Sequence, residues 1–242
     1  MSSSAFASSS RGAAALTLLR EADHRRWLQG SDFRGRAGEL ALLPGDAAPD
    51  AVFVFAGDGS SADFWRLAGL PLRLPEGAWQ CSDLSRATAE RLALAWGIGA
   101  YQFTRYRRAE RAPAALVWPR HADRAAVERA VDAAALARDL INTPAQDMGP
   151  TALARSAVTM ARRLGMRSRV VVGEALLKNG YGLIHAVGRA AADAPRLIDL
   201  TWGEAKHPKV TLVGKGVCFD TGGLDIKGAD GMKLMKKDMG GA

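Results

Sequence analysis

Among the charged residues of one glycine-rich stretch of this chain, residues 213–242, which reads VGKGVCFDTGGLDIKGADGMKLMKKDMGGA, two lysines and two aspartates stand out. Lys215 is followed by Asp220 after five residues, by Lys227 after twelve and by Asp238 after twenty-three. Gly214, Gly216, Gly222 and Gly223 separate the charges. Glycine reaches backbone angles closed to other residues, so such a stretch can bend tightly and turn its charged side chains inward. Carboxylates are charged oxygen donors for divalent cations. A lysine amine either gives up its proton to ligate a metal or keeps it and donates hydrogen bonds. Such a stretch reads as a site more than a core.

The distribution of lysine sharpens this reading. Of 33 basic residues only eight are lysine; the first is Lys178, and the other seven lie beyond residue 200. Arginine does not deprotonate in a protein, so a lysine used against that preference points to a chemical need. Lys206, Lys209, Lys233, Lys236 and Lys237 read as ordinary solvated side chains. Lys215 stands among glycines and apolar residues, where an ammonium needs a carboxylate or a metal ion as its partner.

The stretch resembles the metal-binding signature of the leucyl (cytosol) aminopeptidase family: V-G-K-G, then F-D-[ST]-G-G, a lysine seven residues after that aspartate, and D-M-G-G-A. Upstream, residues 139–150, DLINTPAQDMGP, resemble the family's entry into its catalytic domain. Gly188 with Pro195-Arg196-Leu197-Ile198 resembles the segment before the central strands. The likeness runs from residue 138 onward, and before that it rests on residues 100–106, AYQFTRY.

What the resemblance implies is a metal-dependent aminopeptidase that hydrolyses N-terminal residues, leucine-type, from peptides with two divalent ions. Manganese and zinc are the first expectations, with magnesium and cobalt behind them and bicarbonate as a further component of the complete protein. By the same implication Asp220 bridges both ions, while Asp238 and Lys215, the latter as a neutral amine, complete one shell. Lys227 stays protonated as the catalytic donor to the scissile carbonyl oxygen. A homo-hexamer in the cytoplasm is likewise implied. Thr221 stands where many relatives have serine and Gly228 where proline is frequent, and neither departure removes a ligand. The family carries a further N-T-D-A-E-G-R motif beyond D-M-G-G-A, whose acidic residues complete both shells and whose arginine positions the bicarbonate. Nothing in the sequence replaces it, so the expectation is a fragment with about half a dinuclear centre and little activity alone.

Other chemistries find less support. For a serine or cysteine hydrolase the bases on offer are His24, His121, His185 and His207, none in a nucleophile-base motif. The glycine turn matches neither G-x-x-x-x-G-K-[ST] nor G-x-G-x-x-G. The serious alternative is a non-catalytic DNA-binding or structural member of the same family. Its support is residues 101–111, where Tyr101, Phe103 and Tyr106 interleave with Arg105, Arg107, Arg108 and Arg111. The favoured reading of that strip is a half-buried element with a solvated face, not a nucleic-acid contact.

Composition sets the outer bounds. A chain of 242 residues with 48% hydrophobic content can build one large or two small cores. Cys81 and Cys218 lie too far apart to suggest a disulfide framework, which favours a reducing compartment. No apolar run reaches membrane-spanning length, so no membrane partner is expected. The net charge of +8 comes from arginines scattered through every segment, not from one basic block.

The elements that must position the site follow from periodicity. Residues 1–20, rich in serine and alanine, read as a disordered tail. Residues 21–120 read as a small α/β domain, with apolar strands at 40–43, 52–56 and 115–118 and a helix over 85–96 that Ser85 starts and Ala89, Leu92, Ala93 and Trp96 anchor. A linking helix spans 121–141, with Val127, Ala130, Val131, Ala134, Ala137 and Ile141 in one stripe. It ends at Asn142-Thr143-Pro144. Residues 142–242 open the catalytic metallopeptidase domain, incomplete, with a helix over 151–164 bearing Leu153, Ala157, Met160 and Leu164. Strands are expected at 170–172, 197–200 and 210–213. The fold class is α/β: a small N-terminal domain, then a truncated doubly wound domain on a mixed, largely parallel sheet. Sites in such sheets form beyond the strand carboxyl ends, where Lys215 and Asp220 would lie.

Overall fold

A computed structural model of the chain describes residues 5–20, 34–43, 50–55 and 60–242. His24 and the rest of 21–33 lie outside the described residues. The chain is an α/β protein of two compact units, Met1–Leu136 and Ala137–Ala242.

In the first unit, β1 (Phe6–Ala7), β2 (Ala14–Arg20), β3 (Leu40–Leu43), β4 (Asp50–Phe55), β5 (Ala78–Gln80) and β6 (Ala115–Val117) make a six-stranded sheet in the order β1-β6-β5-β2-β4-β3. Only β3 runs antiparallel to its neighbour, so the sheet is mixed. Side chains along a strand alternate between faces, and β4, DAVFVF, shows what that means for its sequence. Phe53 packs with Leu16, Trp79, Leu92 and Trp96, while Val52 and Val54 pack with Leu19 on the opposite face. A strand buried on both sides is written as an unbroken apolar run.

The disordered tail expected over residues 1–20 is corrected for residues 5–20, residues 1–4 lying outside the described residues. β1 and β2 belong to the sheet, and Leu16 and Leu19 are buried. Serine-rich composition upstream masked the apolar run at 14–19, whose partners Ala51 to Val54, Trp79 and Gln80 lie far along the chain.

α1 (Ser61–Ala68), α2 (Leu70–Arg73) and α3 (Arg86–Gly99) complete this unit. α3 begins where the Ser85 hydroxyl oxygen accepts the Thr88 N–H at 3.2 Å, and Ala89, Leu92, Ala93 and Trp96 are all fully buried, as the spacing predicts. The Trp96 indole donates to the Ala114 carbonyl at 2.9 Å. α4 (Arg124–Asn142) starts after Asp123, whose carboxylate accepts the Ala126 N–H at 3.0 Å. Its buried stripe is narrower than expected: Val127 and Val131 are covered, whereas Ala130 and Ala137 face solvent. Residues 101–111 form neither helix nor strand. Phe103 is half-buried there, Arg107 pairs with Glu110 at 2.7 Å, and Arg111 donates to the Leu72 carbonyl at 2.9 Å.

In the second unit, α5 (Pro150–Arg163) packs on β7 (Arg167–Val172) and β8 (Arg196–Thr201), with α6 (Ala175–Lys178) and α7 (Gly182–Gly188) between the strands. α8 (Ala229–Lys233) and a 3₁₀ helix, Met235–Met239, follow. Two sequence expectations are corrected in this unit. β7 and β8 pair antiparallel, with Val170 opposite Ile198, so the parallel pairing does not hold for them. Residues 210–213 form no strand; Val210, Leu212 and Val213 are 82%, 91% and 94% exposed. A strand exists only when another strand takes its N–H and C=O groups, and none of the described strands pairs with this run.

Candidate metal centre

Backbone geometry explains how the glycine-rich stretch gathers its charges. Gly222 and Gly223 have φ of +90° and +66°, the left-handed region that a side chain disfavours. That turn lets the Asp220 carboxylate accept the Gly222 N–H at 2.7 Å on Oδ1. The Thr221 carbonyl then accepts the Lys227 N–H at 2.9 Å, closing the loop. Lys227 thereby lies across from Asp220, and its Nζ donates to Oδ2 at 2.6 Å and to the Asp220 carbonyl at 3.3 Å. The Met235 sulfur sits 3.9 Å from the same nitrogen.

A second contact brings in the other pair. The backbones of residues 214–216 and 240–242 run side by side so closely at Gly214 that a Cβ there would come within 2.4 Å of the Gly241 carbonyl oxygen. This close approach lets the Lys215 amine bond the Asp238 carboxylate. Beneath both segments lies a small apolar plug of Met148, Leu153, Cys218 and Met239. The 3₁₀ helix is tied down at one end, where the Lys236 amine donates to the Asn142 carbonyl at the end of α4, 2.9 Å away. Lys236 is therefore not the free surface lysine that its neighbours suggest. The contact spans 94 residues, and nothing local in the sequence marks it.

Electrostatics follow from these contacts. The hydrogen bond from Lys227, then that from Gly222, hold the Asp220 carboxyl below the ordinary carboxylate range, and the charges of Lys227 and Lys215 add to the effect. Lys215 thus acts on Asp220 as well as on Asp238, so the two ion pairs form one neighbourhood. Burial pushes the Cys218 thiol up, as suits an inert packing residue. Asp225 and Asp230 take no part in either pair, and Asp230 meets Lys233 at 3.2 Å.

The donors can be tested against the dinuclear centre that the sequence suggests. Two carboxylates and a displaceable amine are the donor types that divalent cations accept. Their number is short of two shells: among the described residues no three of His, Cys, Asp and Glu gather to hold a metal ion. In kind the residues fit, and they supply part of a site.

Fold and site together define a two-unit α/β protein carrying a glycine-rich loop in which two lysines pair with two aspartates. Comparison with known proteins narrows the class. Residues 14–119 match the M17 aminopeptidase N-terminal domain, and residues 135–242 match the catalytic domain of the cytosol aminopeptidase family. A probable cytosol aminopeptidase of Corynebacterium efficiens is 35% identical over 237 residues, covering 90% of this chain and 46% of its own length. One from Rhodococcus opacus is 34% identical over 232 residues, covering 86% and 46%. The crystal structure of the cytosol aminopeptidase from Coxiella burnetii matches with a TM-score of 0.83 at 39% identity, over 95% of this chain and 52% of that one. BotP, a bottromycin maturation enzyme solved in complex with Mn, matches with a TM-score of 0.75 at 28% identity, over 95% and 53%. The chain belongs to the cytosol aminopeptidase (M17) family. It spans about half the length of the relatives it matches.

Proposed function

We propose that this chain carries the N-terminal domain and part of the dinuclear metal centre of an aminopeptidase that removes N-terminal residues, leucine-type, from peptides. The observation that carries the reading is the paired geometry of Lys215 with Asp238 and of Lys227 with Asp220, at the residues the family signature singles out. Divalent ions, manganese or zinc foremost, would supply a polarised carbonyl and an activated water. Asp220 would offer its carboxylate, held below the ordinary range by Lys227 and Gly222, to both ions. Asp238 and Lys215 would hold one ion through an oxygen and, once the metal displaces a proton from the amine, a nitrogen. Lys227 keeps its proton and donates to a carbonyl oxygen placed beside Asp220. Removing one such donor typically costs about 3–4 kcal/mol of transition-state stabilisation.

The shortage of ligands and the exposed apolar run at 210–213 support reading the chain as part of a longer enzyme, cytoplasmic and hexameric when complete, with bicarbonate as a further component. The test is manganese- or zinc-dependent hydrolysis of leucine p-nitroanilide by three proteins: the 242-residue chain, a version extended to the length of its relatives, and that version with Asp220→Ala. Activity in the extended protein alone, lost with Asp220→Ala, is the expected result. Robust hydrolysis by the 242-residue chain overturns the fragment reading. An inactive extended protein that binds DNA with steep salt dependence shifts the function to the arginines of residues 101–111.

A further inference from the structure

We infer that Asp193, on the connection between α7 and β8, is a positioning residue that holds the metal-site loop in shape from a distance. The inference rests on the metal-centre reading above, but its geometry stands independently. The Asp193 carboxylate accepts the Thr151 N–H at 2.8 Å and the Thr151 hydroxyl at 2.6 Å. Arg196 Nη2 donates to the same carboxylate at 2.8 Å and to the Thr151 oxygen at 2.8 Å.

Thr151 is the second residue of α5, where backbone N–H groups have no partner inside the helix. The residue in the N-cap position is Gly149, which has no side chain to serve them. Asp193 does that work from 42 residues away, and a Cβ on Gly149 would come within 2.8 Å of its Oδ2, so the glycine makes room for the carboxylate. A carboxylate at a helix N-terminus also meets the positive end of the helix dipole.

What α5 then holds is the site. Leu153, two residues past Thr151, is buried against Cys218 and Met239, and its Cδ2 would be 3.3 Å from a Cβ on Gly216. Gly216 and Cys218 lie between Lys215 and Asp220, and Met239 follows Asp238. The network Asp193, Thr151 and Arg196 therefore fixes the start of α5, α5 fixes Leu153, and Leu153 backs the two segments that carry the donors. A shift of the helix start opens the loop without touching any donor.

The buried Cys218 thiol is a built-in reporter of that opening. The experiment measures iodoacetamide labelling of Cys218, resolved from Cys81 by mass spectrometry, in the 242-residue chain and in Asp193→Asn, Thr151→Val and Val171→Ala. Val171 is buried in β7 opposite Leu197 of β8 and is not one of the Asp193, Thr151 and Arg196 side chains, so that variant controls for general loss of stability. The charge of Asp193 itself helps hold the Cys218 thiol up. Thr151→Val keeps that charge and is the decisive variant. Labelling about tenfold faster in Asp193→Asn and severalfold faster in Thr151→Val, at a given loss of Tm, is expected, with Val171→Ala near wild type. Wild-type labelling in Thr151→Val, or equal acceleration in Val171→Ala, overturns the inference.

A second arm reads Mn²⁺ binding by calorimetry, where Asp193→Asn is expected to weaken affinity about tenfold, in the range seen for residues that orient metal ligands. If the extended wild-type protein binds no Mn²⁺, the metal-centre reading fails and the thiol arm still decides the role of Asp193. If it binds and Asp193→Asn binds equally well, the role of Asp193 at the metal site is overturned while the metal centre stands.

Discussion

Asp220 and Lys227 occupy each other, and this has a measurable consequence. The lysine amine holds Oδ2 of the carboxylate, the oxygen that a cation would need, while Gly222 holds Oδ1. Two substitutions separate the roles. Asp220→Asn removes the charge, and Mn²⁺ affinity of the extended protein is expected to fall by about 100-fold or more, the upper range for residues that only orient ligands. Lys227→Met removes the competing ammonium and is expected to leave Mn²⁺ affinity unchanged or tighter. Calorimetric titration of the two variants checks both. A Lys227→Met protein that loses Mn²⁺ along with Asp220→Asn would show that the lysine is a ligand or a structural pin, not a donor to substrate.

Among the elements, helix packing and helix starts give the sharpest tests. α1 and α3 cross so closely at Gly99 that a Cβ there would sit 1.7 Å from the Ala68 carbonyl oxygen. Because that neighbour is backbone and cannot swing aside, Gly99→Ala is expected to destabilise the first unit by about 3 kcal/mol or more, read from urea denaturation. At the start of α5 the test is pH. Burial pushes the Asp193 carboxyl up, but hydrogen bonds from Thr151 and then the Arg196 charge outweigh it, and the net shift is downward. A group with a lowered folded pKa binds protons more readily in the unfolded chain. Its contribution is complete above the ordinary carboxylate value of about 4 and is lost as pH falls through the lower folded value. The second unit should therefore lose stability below about pH 4, and Asp193→Asn should flatten that part of the profile. An unchanged slope in Asp193→Asn would assign the acid sensitivity elsewhere.

Element by element, sequence and structure agree where the information is local. A cap at Ser85 and the buried face of α3 are written within 14 helical residues, and the α/β class follows from such segments. Lys215, Asp220, Lys227 and Asp238 also lie within one stretch, and the structure pairs Lys215 with Asp238 and Lys227 with Asp220. What the sequence hid depends on distant partners. β2 was lost in serine-rich surroundings because its pairing with β4 and β5 is not local. The contacts of Lys236 with Asn142 and of Asp193 with Thr151 span 94 and 42 residues and leave no periodic trace.

On the scale of the whole chain, the run at residues 210–213 is the feature that the fold does not resolve. Apolar alternation and β-branched residues make it a strand by every local rule, yet Leu212 and Val213 are more than nine-tenths exposed, and Leu224 and Ile226 nearby are also bare. Exposed apolar side chains in such number on one unit are uncommon on a free-standing protein. Leu212→Ser with Val213→Ser decides what they do. In the 242-residue chain the double variant is expected to keep its stability within about 0.5 kcal/mol, since surface changes away from packed groups cost little. It should also bind less of an apolar dye such as ANS. In a protein extended to the length of its relatives the same pair is expected to cost about 2–5 kcal/mol, the range for emptying a core position, because the run then has strands to pair with and a core to fill. A large loss already in the 242-residue chain would mean that the run packs within it in solution. Equal and small losses in both would mean that the surface stays open and serves a partner molecule.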